Sequence, residues 1–187
     1  MSFSALIDDV NAGRRGADRE LCDRFKDHVR RLLVRMLGPG PDIDDLLQEV
    51  LFRVFRRLHK VHPPDALPGF VTSVTVLVAR EALRKRRRAR WLSFFTSEDL
   101  ADAAHGAEDV PEDVRSFYAT LGKLSDEAQL LITLRYVEGM ALDEMASAMD
   151  VSLATVKRHL KQAEERFVAT SGEGEREAAP WLRGAVR

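Results

Sequence analysis

Residues 142–167, LDEMASAMDVSLATVKRHLKQAEERF, read as a short helix, a tight turn and a longer second helix. In the first, Leu142, Met145, Ala146 and Met149 recur at helical spacing, with small Ala146 where two helices can approach closely. Asp150-Val151-Ser152 then breaks the pattern, and Ser152 supplies the kind of hydroxyl that caps a following helix. In the second helix Val156, Leu160, Ala163 and Phe167 fall at i, i+4, i+7 and i+11, a continuous apolar stripe. At roughly 100° per residue, Ala154, Arg158, Lys161 and Glu165 lie opposite that stripe, flanked by Thr155, Lys157 and Gln162. One face is suited to burial and the other offers donors and cations. A helix-turn-helix presents its second helix to the DNA major groove in this way. A plain helical hairpin with a solvated basic face has the same pattern, so the rest of the chain must separate the two.

The chain has 187 residues, room for one domain or two small ones. It is 45% hydrophobic and 32% charged, the balance of a soluble globular protein. No uninterrupted apolar run approaches the roughly 20 residues of a membrane span, so membrane insertion is not expected. No basic segment followed by an apolar core opens the sequence, so no secretory signal is expected. The one cysteine, Cys22, makes no internal disulfide and is expected to be a buried structural thiol. A reducing, cytoplasmic setting fits. The net charge of −1 conceals an asymmetry, because residues 1–90 hold 19 Lys+Arg against 12 Asp+Glu and residues 91–187 hold 10 against 18. A basic half of this kind suits a polyanionic partner.

Residues 3–37 carry helical periodicity through Leu21, Phe25, Val29, Leu32, Leu33 and Met36, with Arg30, Arg31 and Arg35 facing away. Gly38-Pro39-Gly40-Pro41 ends it. Asp42 is expected to cap the next helix, whose inward residues are Ile43, Leu46, Leu47, Val50, Val54 and Leu58. Phe52 lies on its polar face among Asp45, Gln48, Glu49 and Arg56. It is either a single exposed apolar residue of the ordinary kind or an anchor for a partner; position alone does not separate these. The loop at residues 59–69 is stiffened by three prolines, and His59 and His62 lack the neighbours a metal site needs. Residues 70–90 begin with FVTSVTVLV, a strand by propensity. Phe70, Val74, Leu77, Val78 and Leu83 nevertheless keep helical spacing, so one long helix is expected. It ends in six basic residues out of seven, Arg84, Lys85, Arg86, Arg87, Arg88 and Arg90. Like charges so dense repel one another, which favours a polyanionic partner over a merely solvated face.

From Trp91 to Asp113 there are seven acidic residues and no Lys or Arg, read as a flexible acidic linker. A helix with Val114, Phe117, Tyr118 and Leu121 follows, then one capped by Ser125 and closed by Gly139. The expected architecture is all-α, with two small helical domains at 1–90 and 113–170, a linker at 91–112 and a mobile tail at 171–187. No Gly-rich phosphate loop, nucleophile elbow or paired metal-spaced histidines appear, so an enzyme, a metal or another cofactor is not expected.

Asp42-Ile43-Asp44-Asp45-Leu46-Leu47-Gln48-Glu49-Val50-Leu51-Phe52 closely resembles the region-two signature of the small extracytoplasmic-function sigma factors of bacterial RNA polymerase. Leu134-Arg135-Tyr136-Val137-Glu138-Gly139-Met140 and Thr155-Val156-Lys157 resemble region four of the same group. Response-regulator domains share the Thr-Val-Lys helix, but both pieces in this order are specific to the sigma group. The resemblance implies a promoter-specificity factor with core RNA polymerase, promoter DNA and an anti-sigma protein as partners. It implies polymerase binding by Asp42, Asp45, Leu46, Gln48, Glu49 and Phe52. Minus-ten DNA would meet Lys60, Phe70, Arg80, Arg84, Lys85, Arg86, Arg87 and Arg88. The minus-thirty-five element would meet Ser152, Ala154, Thr155, Lys157, Arg158 and Lys161.

The sequence departs from that pattern in three places. Val76-Leu77 stands where the family usually has Arg-Asn, placing the usual melting contact in doubt. His159, Gln162 and Glu164 stand where basic residues are common, which implies weaker and less salt-sensitive binding. Ala141 and Asp150 replace a usual cap and a usual turn glycine, and a lost cap costs about 1 kcal/mol. The alternatives are a helix-turn-helix regulator that works without polymerase, and a polymerase-binding decoy that does not melt promoters. Charge complementarity between residues 84–90 and 98–113 favours a compact free protein.

Overall fold

Apolar spacing at helical period sets the architecture, and the computed structural model describes residues 2–38, 40–93 and 112–171, among which every regular element is helical. Ser2 opens α1 (Phe3–Asn11) by accepting a hydrogen bond from the Ala5 amide, and Leu6 and Ile7 are buried. The helical periodicity read over residues 3–37 is divided between two helices. Gly13 and Gly16 adopt φ of 65° and 88°, left-handed values at which glycine is favoured, before α2 (Ala17–Leu37) begins. Cys22 sits beside buried Leu21 and is only partly buried, which corrects the expectation of a fully buried thiol. Burial and the nearby carboxylates of Asp18 and Asp23 raise its pKa.

Helix α3 (Ile43–Arg57) is not capped by the Asp42 side chain. That carboxylate is taken by Arg86, whose guanidinium donates to both of its oxygens and to the Leu37 carbonyl. A single arginine thus ties the end of α2 to the start of α3. Short 3-10 turns at Leu58–Lys60 and Pro64–Ala66 lead into α4 (Leu67–Ser93). The β-branched FVTSVTVLV is helical because Val71, Val74, Val76 and Val78 are all buried there, which outweighs their small loss of side-chain freedom. Buried Thr75 donates its hydroxyl to the Val71 carbonyl at 2.8 Å. By length and composition alone the stretch Pro64–Arg88, most of it α4, would pass for a membrane span, with a mean hydropathy of 1.3 over an 18-residue window. Half of that window is buried by the surrounding helices, as in the core helix of a globular fold.

The second half comprises α5 (Glu112–Leu121), α6 (Asp126–Ile132), a π-helical turn at Thr133–Val137, α7 (Leu142–Met149) and α8 (Leu153–Thr170). Ser125 caps α6 through the Ala128 amide, as expected. Gly139 ends the π turn with φ of 69°. In α7 the buried small residue is Ala148, while Ala146 is half-buried. The α8 stripe is as read, with Val156, Leu160, Ala163 and Phe167 all buried.

These halves share one apolar core, in which α4 packs against both α6 and α7 and α2 meets the π turn. The expected acidic linker falls largely outside the described residues, as does residue 172 onward of the expected tail. Ser171 belongs to the packed body, buried and donating to the Phe167 carbonyl at 2.7 Å.

Candidate functional surfaces

On α3, Asp45, Gln48, Glu49 and Phe52 occupy an arc of roughly 100° around the helix axis. Asp45 and Gln48 are exposed, and Phe52 is 56% exposed, the most exposed of the large hydrophobic residues described. Glu49 accepts from Arg53 at 2.6 Å. Arg53 in turn grips Glu81 of α4 through two bonds of 3.0 and 2.7 Å, holding the Glu81 carboxyl below its usual range. This fork fixes the α3 face relative to α4. Asp42 is spent on Arg86, and Leu46 is half-buried against the core.

Phe52 also lines a groove of about 480 Å³ with Arg56, Arg57 and Lys60. The Arg56 guanidinium lies 5.6 Å from the Phe52 ring centre, a cation–π contact. The groove therefore joins a residue from the expected polymerase set to one from the expected minus-ten set. Arg56 and Arg57 belong to neither expected set; the i+4 spacing from Phe52 points to Arg56, whereas Arg57 at i+5 is not signalled by helical spacing.

On α4 the expected minus-ten residues divide. Arg84, Lys85 and Arg88 are exposed, Arg80 and Phe70 half-buried. Arg86 is the structural tie already described. Arg87 donates to the Leu124 carbonyl at 2.5 Å and pairs with Asp126 at 2.9 Å, both in the second half. Val76 is buried and Leu77 is 38% exposed.

On α8, Ser152 accepts from the Thr155 amide at 3.1 Å, and their hydroxyls lie 2.8 Å apart. This fixes the first turn of the helix. Ala154, Lys157, Arg158 and Lys161 are all exposed, and Thr155 is half-buried beside them. His159 and Glu164 are turned toward the fold. His159 Nδ1 lies 2.8 Å from Glu127 of α6, and Glu164 accepts from the Tyr136 hydroxyl. Desolvation and that carboxylate raise the Tyr136 pKa. The shortage of cations on this helix thus arises partly because two of its positions brace it against α6 and the π turn. Sequence spacing alone does not reveal that role.

Among the described residues no group of three or more His, Cys, Asp or Glu side chains comes together as a metal site.

Residues 21–89 match the family pattern "Sigma-70 region 2" and residues 115–167 match "Sigma-70, region 4". The chain is 26% identical over 176 residues to the "ECF RNA polymerase sigma-E factor" of Haemophilus influenzae, covering 88% of this chain and 93% of that protein. It is 27% identical over 152 residues to the "ECF RNA polymerase sigma factor SigE" of Mycolicibacterium smegmatis, covering 79% of this chain and 59% of the longer relative. The fold resembles that of the sigma factor RpoE from Bartonella quintana, solved with the anti-sigma factor NepR. The TM-score is 0.61 at 18% identity, covering 81% of this chain and 94% of that one.

Proposed function

The chain belongs to the sigma-70 family, in its extracytoplasmic-function group, and we propose that it binds core polymerase through the α3 face around Phe52. As an RNA polymerase sigma factor it confers recognition of two-part promoters on the core enzyme and promotes their opening. On this reading residues 1–90 form the polymerase-binding and minus-ten unit, and residues 113–170 the minus-thirty-five unit. Phe52 is the apolar anchor, with Asp45, Gln48 and Glu49 as its polar rim, the usual composition of an interface hot spot. Arg80, Arg84, Lys85 and Arg88 contact minus-ten phosphates, with Arg87 joining them once released from Asp126. Lys60 and Phe70 meet the unstacked strand. Ser152, Ala154, Thr155, Lys157, Arg158 and Lys161 meet the minus-thirty-five groove and its phosphates. The protein acts in the bacterial cytoplasm, is not an enzyme, and is held in check by an anti-sigma protein.

The observation that carries this reading is the exposed Phe52 on an acidic helix face, in the same chain as a capped, cation-bearing recognition helix. A regulator working without polymerase would leave the α3 face unexplained. Replacing Asp45, Gln48 and Phe52 together with Ala is expected to lower affinity for core polymerase by about thirtyfold or more, since loss of a hot spot costs about 2 kcal/mol. Circular dichroism should remain that of the parent. Unchanged affinity would reject the assignment. The decoy reading is favoured by one observation, apolar Leu77 exposed on α4. Transcription from a matching promoter would exclude it.

A further inference from the structure

We propose that Leu153, at the tip of α8, reads the 5-methyl group of a thymine in the upstream promoter element. The proposal rests on the reading of α8 as the helix that enters the minus-thirty-five groove, and it adds the base feature that this chain selects there.

Leu153 is 41% exposed, one of three large hydrophobic residues in that state among those described, with Phe52 and Leu77. Single exposed leucines are common on protein surfaces. The place of this one sets it apart. It is the first residue of α8, directly after the Ser152 cap, and a helix-turn-helix enters the major groove with that end of its second helix leading. The buried residues of α8 begin at Val156, so Leu153 stands ahead of the stripe that seats the helix.

The polar groups of the same turn are already engaged. Ser152 Oγ accepts from the Thr155 amide at 3.1 Å, the two hydroxyls lie 2.8 Å apart, and Thr155 is half-buried. No cation and no side-chain amide occurs between residues 152 and 156. The outward side chains of the turn are therefore chiefly those of Leu153 and Ala154, both apolar. Lys157 and Arg158 stand four residues behind them on the same two helical rows, about 6 Å back along the axis. An apolar tip with cations one turn behind suits a base contact at the front and phosphate contacts at the rear. Of the groups that base pairs present in the major groove, the thymine methyl is the apolar one. A leucine pressed on a donor or acceptor edge would strip it of water and return no hydrogen bond.

The test uses the complex of the full chain with core polymerase. Duplex fragments are selected from a random-sequence library, and each thymine of the shared upstream motif is replaced in turn by deoxyuridine, which lacks only the 5-methyl group. For the parent, at least one replacement is expected to weaken binding by about fourfold, the worth of burying one methyl-sized group. Leu153→Ala is expected to bind the thymine and uracil forms of that fragment equally. Leu153→Met, which keeps the apolar reach, should retain most of the difference. Circular dichroism of both variants should match the parent, because the residue is exposed and outside the core. Insensitivity of the parent at every thymine, or equal sensitivity in Leu153→Ala, would overturn the proposal while leaving α8 as a promoter reader. An upstream motif with no thymine on either strand would overturn it too. Failure of the complex to select any upstream motif would instead reject the promoter-reading role of α8, and the proposal with it.

Discussion

Asp150 carries φ of 55° in the turn between α7 and α8, the one non-glycine residue described with a left-handed backbone. It stands where the sequence pattern usually has a turn glycine, and the structure gives the physical consequence. An L side chain in that region costs roughly 1–2 kcal/mol, somewhat less for Asp. Asp150→Gly is therefore expected to stabilise the protein by about 1 kcal/mol, since the residue is exposed and its side chain supports no packing. Urea denaturation would read the shift in midpoint; a lower midpoint would contradict it. His28 shows a second single-residue effect. Burial lowers its pKa below 6.5, and Arg31 acts in the same direction, while Glu138 opposes. The folded state therefore holds His28 neutral, and its contribution to stability is intact above about 6.5. As pH falls below that value the unfolded chain takes up the proton more readily, so stability declines. Comparing urea midpoints at pH 7.5 and 5.5 for the parent and for His28→Gln should show a smaller decline in the variant. Equal declines would show that His28 is not the source of the pH dependence.

Among the elements, α8 is legible almost completely. Its stripe, its Ser152 cap and its outward cations all follow from period and capping chemistry. What spacing does not supply is the pairing of His159 with Glu127 and of Glu164 with Tyr136, because those partners come from elements distant in the chain. Lys157→Ala with Lys161→Ala should leave the fold intact and weaken promoter-fragment binding. The slope of log affinity against log salt should fall by up to about 2, roughly one for each lysine withdrawn from a phosphate. An unchanged slope would place the phosphate-binding cations elsewhere on the surface. Helix α4 is legible for the opposite reason, since helical spacing of its valines correctly outweighs their strand propensity. The break between α1 and α2 is hidden because Gly13 and Gly16 interrupt an otherwise continuous apolar period, and isolated glycines do not by themselves end a helix. Asp42 looks like a cap in sequence because its true partner, Arg86, lies far along the chain.

For the whole molecule, the all-α architecture and the two sigma regions are readable from local pattern, and the docking of those regions is not. Attraction between basic residues 84–90 and the acidic stretch at 98–113 is the sequence's reason to expect compactness. Residues 98–111 of that stretch lie outside the described residues, and the described contacts between the halves run from α4 to α6 and α7 and from α2 to α6. Such contacts join residues roughly 40 to 100 positions apart and leave no periodic trace in sequence. They bear on function because Arg87, one of the expected minus-ten residues, is held by Leu124 and Asp126.

The most direct test of sigma activity is run-off transcription with core polymerase, the purified protein and a library of promoter fragments. A working sigma factor is expected to yield transcripts from fragments that share two upstream motifs, with none from core polymerase alone. Failure to bind core polymerase or to direct any transcript from the library would contradict that function.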